Sequence, residues 1–162
     1  MVDHSRTSST EPDLVILVVA AYRAVIRQLM TSMAEAGLHE MRPAYGFVIR
    51  AVQAEQPTVG RLAELLDTSK QNASKLADGM VAAKLLTRVV DPADARRTRL
   101  RLAARGERVF QTALAASEAM EQQLQAELGP AGARALRRAL TALVERDGTI
   151  EDVLARRARP VW

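Results

Sequence analysis

The chain has 162 residues, enough for one domain with a buried core, and 48% of them are apolar but only 3% are aromatic. This composition favours helices over an aromatic-rich sandwich or barrel. The absence of cysteine excludes disulfides, thiolate metal sites and cysteine redox switches. The net charge is +4, and the positive excess lies between residues 58 and 108, where eleven Lys or Arg residues accompany six Asp or Glu residues. Either a polyanion that binds this segment or a solvated surface without a partner explains that distribution.

The N-terminal region predicts a polar arm followed by a helix. Residues 1–12 lack an apolar stretch behind a basic start, so they predict a disordered arm and not a signal peptide. Asp13 is a suitable cap for a helix from about Leu14 to Ala36. Its first part, Leu14 to Tyr22, is continuously apolar, and nine residues are too few to span a bilayer. We therefore expect a soluble, cytoplasmic protein.

The same apolar run predicts a partner subunit. A helix without a polar face must be covered on every side, and a chain of this size cannot do that alone. We expect residues 13–55 to hold dimerisation and linking helices. The second of these runs from about Arg42 to Glu55, with Pro43 in its first turn.

Two short helices follow, joined by a tight turn. The first runs from Val59 to Leu66 after the cap Thr58, and the second runs from Lys70 to about Lys84 after the cap Ser69. The second helix has an apolar stripe at helical spacing, formed by Ala73, Leu76, Ala77, Met80 and Val81. This pattern predicts a helix-turn-helix.

A hairpin and further helices complete the pattern. Leu86–Val90 and Thr98–Ala103 alternate as strands do, and Asp91–Asp94 supplies the turn, so we expect a two-stranded hairpin, here called the wing. Residues 56–104 would form the winged helix-turn-helix lobe and residues 105–162 the C-terminal dimerisation helices. The predicted C-terminal helices are Arg105–Leu128, Ala131–Arg146 and Ile150–Arg157, with Gly129 and Pro130 ending the first.

These elements predict a mainly α fold. It is a winged helix-turn-helix with about six helices and one β-hairpin, dimerising through its N- and C-terminal helices. The second helix of such a motif buries one face and presents the other to the major groove of DNA. Its start carries groups that can bond to base edges and phosphates. The predicted contacts there are Ser69, Lys70, Gln71, Asn72, Ser74 and Lys75.

The wing carries four arginines within six residues. Asp94 precedes Arg96 by two residues, and we expect it to hold that guanidinium by a bidentate pair. An arginine aimed in this way could enter a narrow minor groove. The predicted wing contacts are Asp94, Arg96, Arg97 and Arg99. The alternative is a solvated charged turn, while Asp78 on the preceding helix is expected to point away from phosphates.

The stretch from Thr58 to Gly106 resembles the MarR family of bacterial regulators. The residues in step with the family's wing are Asp91, Pro92, Asp94, Arg96, Leu102 and Gly106. Ala95 departs from it where arginine is usual, and Lys84 stands where a glycine often precedes the hairpin. The resemblance implies a sequence-specific regulator of transcription that binds double-stranded DNA as a homodimer on a palindromic operator, as a repressor that a small ligand releases.

The resemblance also implies a cleft for a small, often aromatic, anion. The candidates for its lining are Tyr22, Arg23, His39, Arg42 and Tyr45. Equally, the two tyrosines could be core residues and the arginines surface residues. Two unclustered histidines without cysteine predict no metal site, and no other cofactor is expected.

The sequence has no nucleophile elbow and no glycine loop for a nucleotide, so we expect no enzyme activity. Two other functions stay open. One is a winged-helix adaptor that acts by protein–protein contact, and the other is a small-molecule-binding protein whose DNA binding is vestigial.

Overall fold

The computed structural model describes residues 12–146. Within this range the chain is mainly helical with one antiparallel hairpin, which confirms the predicted fold class. The elements are α1 (Leu14–Glu35), α2 (Pro43–Glu55), α3 (Val59–Leu65), α4 (Lys70–Ala82), β1 (Leu86–Asp91), β2 (Asp94–Leu102) and α5 (Ala104–Arg146). The predicted helix at 150–157 and residues 1–11 of the predicted arm lie outside the described residues.

Three of the helices begin at the caps that the sequence predicts. Asp13 Oδ1 accepts a hydrogen bond from the backbone N–H of Val15 over 2.8 Å. Thr58 Oγ1 and Ser69 Oγ do the same for α3 and α4, at 3.2 Å and 3.1 Å. Each cap satisfies a donor that the first helical turn would leave unpaired, so these three residues fix where the helices begin.

The end of α4 is fixed by a residue in the left-handed region. Lys84 has φ 58°, and the backbone N–H groups of Lys84 and Leu85 donate to the carbonyls of Val81 and Met80. This arrangement satisfies carbonyls at the end of the helix and turns the chain into β1. The helix therefore ends two residues before the predicted Lys84.

The hairpin is longer than the sequence predicts. Asp91 pairs with Asp94, so the turn contains only Pro92 and Ala93, and β2 begins four residues before the predicted Thr98. The next pair is Val90 with Thr98, so residues 95–97 form an irregularity in β2. Extra residues in one strand re-aim the side chains that they carry. The alternation pattern missed this segment because its consecutive polar residues have no buried face.

The long C-terminal helix α5 has a break at Gly129. That residue has φ 68° and ψ 167°, which is not helical, and Pro130 follows it. The predicted stop at Gly129 is confirmed, since it separates a helical segment at 104–128 from a second one at 130–146. Arg137 contacts Glu121 across the kink, and a straight helix would hold these two residues about 24 Å apart. The two segments therefore fold back beside each other.

The core lies among α2, α3, α4 and the wing. Its fully buried side chains include Val48, Ile49, Val52, Leu62, Met80, Leu100 and Val109. The stripe predicted on α4 faces this core, with Ala73, Ala77 and Met80 completely buried. The backbone N–H of Leu100 donates to the carbonyl of Pro57 over 2.8 Å and ties β2 to the start of the helix-turn-helix.

Helix α1 contributes only its C-terminal end to this core. Met33 is buried there, whereas every residue from Leu14 to Val25 is exposed. By length and composition alone, the 22-residue helix could cross a membrane. The run from Leu14 to Tyr22 is too short to span a bilayer, but the whole helix is long enough, so the prediction does not hold for α1 as a whole. A helix packed against a partner subunit has the same composition.

The left-handed turn at Lys84 gives the first testable prediction. That conformation costs a non-glycine residue about 1–2 kcal/mol, and glycine adds about 0.4–1 kcal/mol of freedom to the unfolded chain. Lys84→Gly should therefore raise the free energy of unfolding by about 0.5–1 kcal/mol. The control Lys75→Gly, at an exposed position in the middle of α4, should lower it by about 0.5–1 kcal/mol. Urea unfolding measures both, and destabilisation by both variants would contradict the assignment.

Candidate nucleic-acid interface

The face of α4 opposite the core carries the predicted recognition residues. Lys70, Gln71, Asn72 and Lys75 are exposed, and Ser74 is half-buried. Asn72 also donates through Nδ2 to Thr68 Oγ1 over 3.4 Å, which holds its side chain near the start of the helix. Ser69 caps the helix with its side chain. The structure thus brings all six residues together at one end of α4.

An ion pair joins this helix to the wing. Arg88 on β1 donates through Nη2 to Asp78 Oδ1 over 2.6 Å, and Ser74 Oγ donates to Asp78 Oδ2 over 3.3 Å. Sequence reasoning placed Ser74 at the interface but missed Arg88. The spacing of four residues indicates that Ser74 and Asp78 share a helix face. Nothing in the sequence indicates that a residue on the next strand completes the cluster.

The wing places Asp94 differently from the prediction. Its Oδ1 accepts the backbone N–H of Arg96 at 3.0 Å, and its Oδ2 lies 3.3 Å from Nε of Arg97. The predicted pair between Asp94 and the Arg96 guanidinium is therefore wrong. A carboxylate that accepts a hydrogen bond from the backbone N–H two residues ahead forms a local turn. Here that turn brings the side chain of Arg97, three residues ahead, within reach of Asp94. Within residues 12–146 the Arg96 guanidinium has no ion-pair partner and is exposed.

A second acid in the wing is buried and paired. Asp91 Oδ2 accepts a hydrogen bond from Nε of Arg99 over 2.7 Å, and its Oδ1 accepts from the backbone N–H of Ala93 over 2.9 Å. Hydrogen bonding to Arg99, followed by the bond to the Ala93 amide, lowers the pKa of Asp91 below its ordinary value. Arg99, predicted as a DNA contact, is thus engaged inside the wing. Asp91 was predicted only as a turn residue.

The helix-turn-helix and the start of the wing match one known protein family. A family model described as the MarR family matches residues 39–97, from the connection between α1 and α2 to the fourth residue of β2. These residues cover the helix-turn-helix and the start of the wing, and over them the chain is similar to the MarR family. The match confirms the resemblance inferred from residues 58–106. No curated protein matches the chain by sequence.

Solved structures show the same fold beyond the matched segment. YusO from Bacillus subtilis is 20% identical over 82% of this chain and 93% of its own, with a TM-score of 0.63. MepR from S. aureus in complex with DNA is 19% identical over 84% of this chain and 99% of its own, with a TM-score of 0.64. MepR from S. aureus bound to ethidium bromide is 20% identical over 85% of this chain and 99% of its own, with a TM-score of 0.62.

The residues predicted to line a MarR-type ligand cleft are only partly brought together. The guanidinium carbon of Arg42 lies 5.9 Å from the centroid of the Tyr45 ring, at the start of α2. Tyr22 and Arg23 lie on the exposed first half of α1, and His39 is exposed between α1 and α2. Among residues 12–146 no group of three His, Asp or Glu side chains could hold a metal ion.

A separate concave surface lies between α1 and the two segments of α5. It is a groove of about 790 Å³ that contains none of the five predicted ligand residues. Its apolar lining includes Val25, Met120, Leu124, Leu136 and Leu140. Several of these side chains are also largely exposed, so the groove continues the uncovered apolar surface of α1.

The buried pair in the wing gives a pH-dependent prediction. Because the folded state lowers the pKa of Asp91, the pair stabilises the fold above the ordinary carboxyl pKa of about 3.9 and loses that contribution as the pH falls through the lowered value. Asp91→Asn should therefore unfold at lower urea concentration than the parent at pH 7, and the difference should shrink below about pH 4. A difference that grows on acidification would contradict the pairing.

Proposed function

We propose that this protein is a sequence-specific transcription regulator that binds double-stranded DNA as a homodimer on a palindromic operator and represses the genes there. One observation carries the proposal. The exposed polar face of α4 and the arginine-bearing segment of the wing belong to one lobe, joined by the ion pair between Asp78 and Arg88. Enzyme activity has no support from the matched family or from the similar structures.

The arrangement suits the two grooves of DNA. The start of α4 offers backbone N–H groups and a favourable dipole for a phosphate, and Lys70 and Lys75 add positive charge. Gln71 has the amide geometry that matches adenine in the major groove. The exposed guanidinium of Arg96 is suited to a narrow minor groove, where the negative potential is enhanced. Arg99 supports the wing from inside through Asp91.

A second copy of the chain is the partner proposed for the apolar surface. The exposed side chains on α1 include Leu14, Ile16, Val18, Val19, Tyr22 and Val25, with exposed fractions between 39% and 67%. On α5 the exposed apolar side chains include Leu124, Leu128, Leu136, Leu140 and Leu143. Contiguous apolar surface of this extent marks an interaction site in soluble proteins. Location in the cytoplasm, where operator DNA is accessible, is part of the proposal.

Release by a small ligand is the remaining part. MepR, which shares the fold, has been solved both with DNA and with ethidium bromide. In this chain Arg42 and Tyr45 form the one cation–aromatic contact among the described residues. They are the ligand residues that we retain as contacts for a small aromatic or anionic ligand, with Tyr22, Arg23 and His39 as contributors in a dimer.

Binding to the DNA upstream of the protein's own gene tests the proposal. A dimer that neutralises about 6–10 phosphates should lose affinity about 10³–10⁵-fold between about 50 and 200 mM salt. Fluorescence anisotropy with a labelled duplex measures this slope, and unrelated duplex as competitor measures specificity. The half-sites should lie about 10 base pairs apart, centre to centre. Absence of selective binding at low salt would contradict the proposal.

Variants of single arginines sharpen the salt experiment. Arg96→Ala should weaken binding to operator and to A·T-rich competitor together and reduce the salt slope by about 1 for each subunit. Arg138→Ala, an exposed arginine on α5, removes the same charge outside the lobe and should leave the slope unchanged. Equal effects of both variants would mean that net charge, and not the wing, determines affinity.

The dimer gives a separate prediction. Val18→Asp places a charge in the exposed apolar stretch of α1 and should prevent a stable dimer and lower the folded fraction with it. Val18→Thr keeps the side-chain shape and should retain the dimer. Sedimentation at micromolar concentration measures the mass of each. A monomeric mass for the unaltered protein would overturn the dimer.

A further inference from the structure

The hydrogen-bonding state of Ser74 is fixed by its neighbour. Ser74 Oγ lies 3.3 Å from Asp78 Oδ2, and Arg88 Nη2 lies 2.6 Å from the other carboxylate oxygen. A carboxylate that is paired with a guanidinium is ionised and can only accept hydrogen bonds. The hydroxyl proton of Ser74 must therefore point to Asp78. A serine has a single hydroxyl proton, so only lone pairs of Oγ are left for any other partner.

This polarity matters because an unconstrained serine does not discriminate between bases. A free hydroxyl can donate or accept, and serine contacts are correspondingly tolerant. In the major groove the amino groups of adenine N6 and cytosine N4 are donors, whereas guanine and thymine present acceptors. A hydroxyl held as an acceptor can bond only to the first two bases.

The geometry points to Ser74 as a specificity-determining residue that reads an adenine or cytosine amino group, with Asp78 as the residue that sets its polarity. The inference rests on the proposed DNA-binding function and deepens it. Ser74 lies one helical turn after Lys70 and directly before Lys75. It is half-buried at the edge of the exposed face, about 60–100° around the helix from the buried Ala73 and Ala77. It is therefore close to the groups proposed to contact DNA, although Asp78 uses its proton.

Arg88 makes this arrangement compatible with a polyanion. The side chain of Asp78 is 61% exposed, and an unpaired carboxylate on this face would repel phosphates. The guanidinium of Arg88 compensates that charge and, because it belongs to β1, holds Asp78 from the wing side. Asp78 and Arg88 are positioning residues, since they act on DNA through Ser74.

The test removes single amino groups from the DNA. Sites are first selected with the parent protein from a random duplex library. Within one half-site, each adenine is replaced by purine, which lacks the N6 amino group, and each cytosine by 2-pyrimidinone, which lacks the N4 amino group. Loss of one hydrogen bond should lower the affinity of the parent about 2–10-fold at one position. The same replacement should not change the affinity of Ser74→Ala.

Asp78→Asn tests whether the direction of the Ser74 hydrogen bond, and not contact alone, sets the base preference. The amide can donate to Ser74 and free its hydroxyl proton, so this variant should accept guanine or thymine at the sensitive position with less than about a 2-fold preference for the amino-bearing base. Ser32→Ala, at the far end of α1, removes a serine hydroxyl outside the lobe and should keep the parent's preference.

The outcomes separate the proposed function from the role of Ser74. If no duplex is selected, the proposed function itself is wrong. If binding is selective but the same amino group matters equally to the parent and to Ser74→Ala, Ser74 does not read it and the inference is overturned. An unchanged base preference in Asp78→Asn would also overturn it. The parent's response to the base analogues is informative even if a variant folds poorly. If no position is sensitive to loss of an amino group, the inference is contradicted directly.

Discussion

A Cβ atom at position 106 would overlap the carbonyl oxygen of Leu85 and lie 3.0 Å from its carbonyl carbon, so only glycine allows α5 to pass this close to the connection between α4 and β1. The Leu85 carbonyl also accepts the backbone N–H of Ala103, and Arg105 donates to the carbonyl of Ala83 over 3.1 Å. The end of α4, both strand ends and the first turn of α5 therefore meet at one point. Arg108 extends the junction to the carbonyl of Ala36 at the end of α1.

The acids of the lobe hold arginines in place. Asp78 pairs with Arg88, and Asp94 with Arg97. Asp91 pairs with Arg99 inside the wing. The pairs of Asp78 and Asp94 are exposed and add little stability, so their main effect is on orientation. The pair of the buried Asp91 stabilises the wing as well. The positive surface of the lobe therefore depends on the arginines that have no such partner. The net charge of +4 does not show which arginines these are.

Local signals were sufficient to predict most of the fold. The caps at Asp13, Thr58 and Ser69 and the period of the α4 stripe depend on neighbouring residues, and the structure agrees with them. Ion-pair partners depend on tertiary placement, so the sequence could not predict that Arg88 contacts Asp78 ten residues earlier. The assignment of Asp94 to Arg96 rested on their spacing of two residues, and the irregular segment 95–97 brings the side chain of Arg97 within reach instead.

We propose that α4 and the irregular segment of the wing contact DNA together, with α1 and α5 outside the contact. Backbone amide NMR of the full chain, titrated with a selected duplex, tests it most directly. The amide shifts of residues 69–75 and 95–97 should change at the same DNA concentration, while residues 114–128 should keep the shifts of the free protein. Shift changes confined to α1 and α5, or changes in α4 without any in the wing, would contradict it.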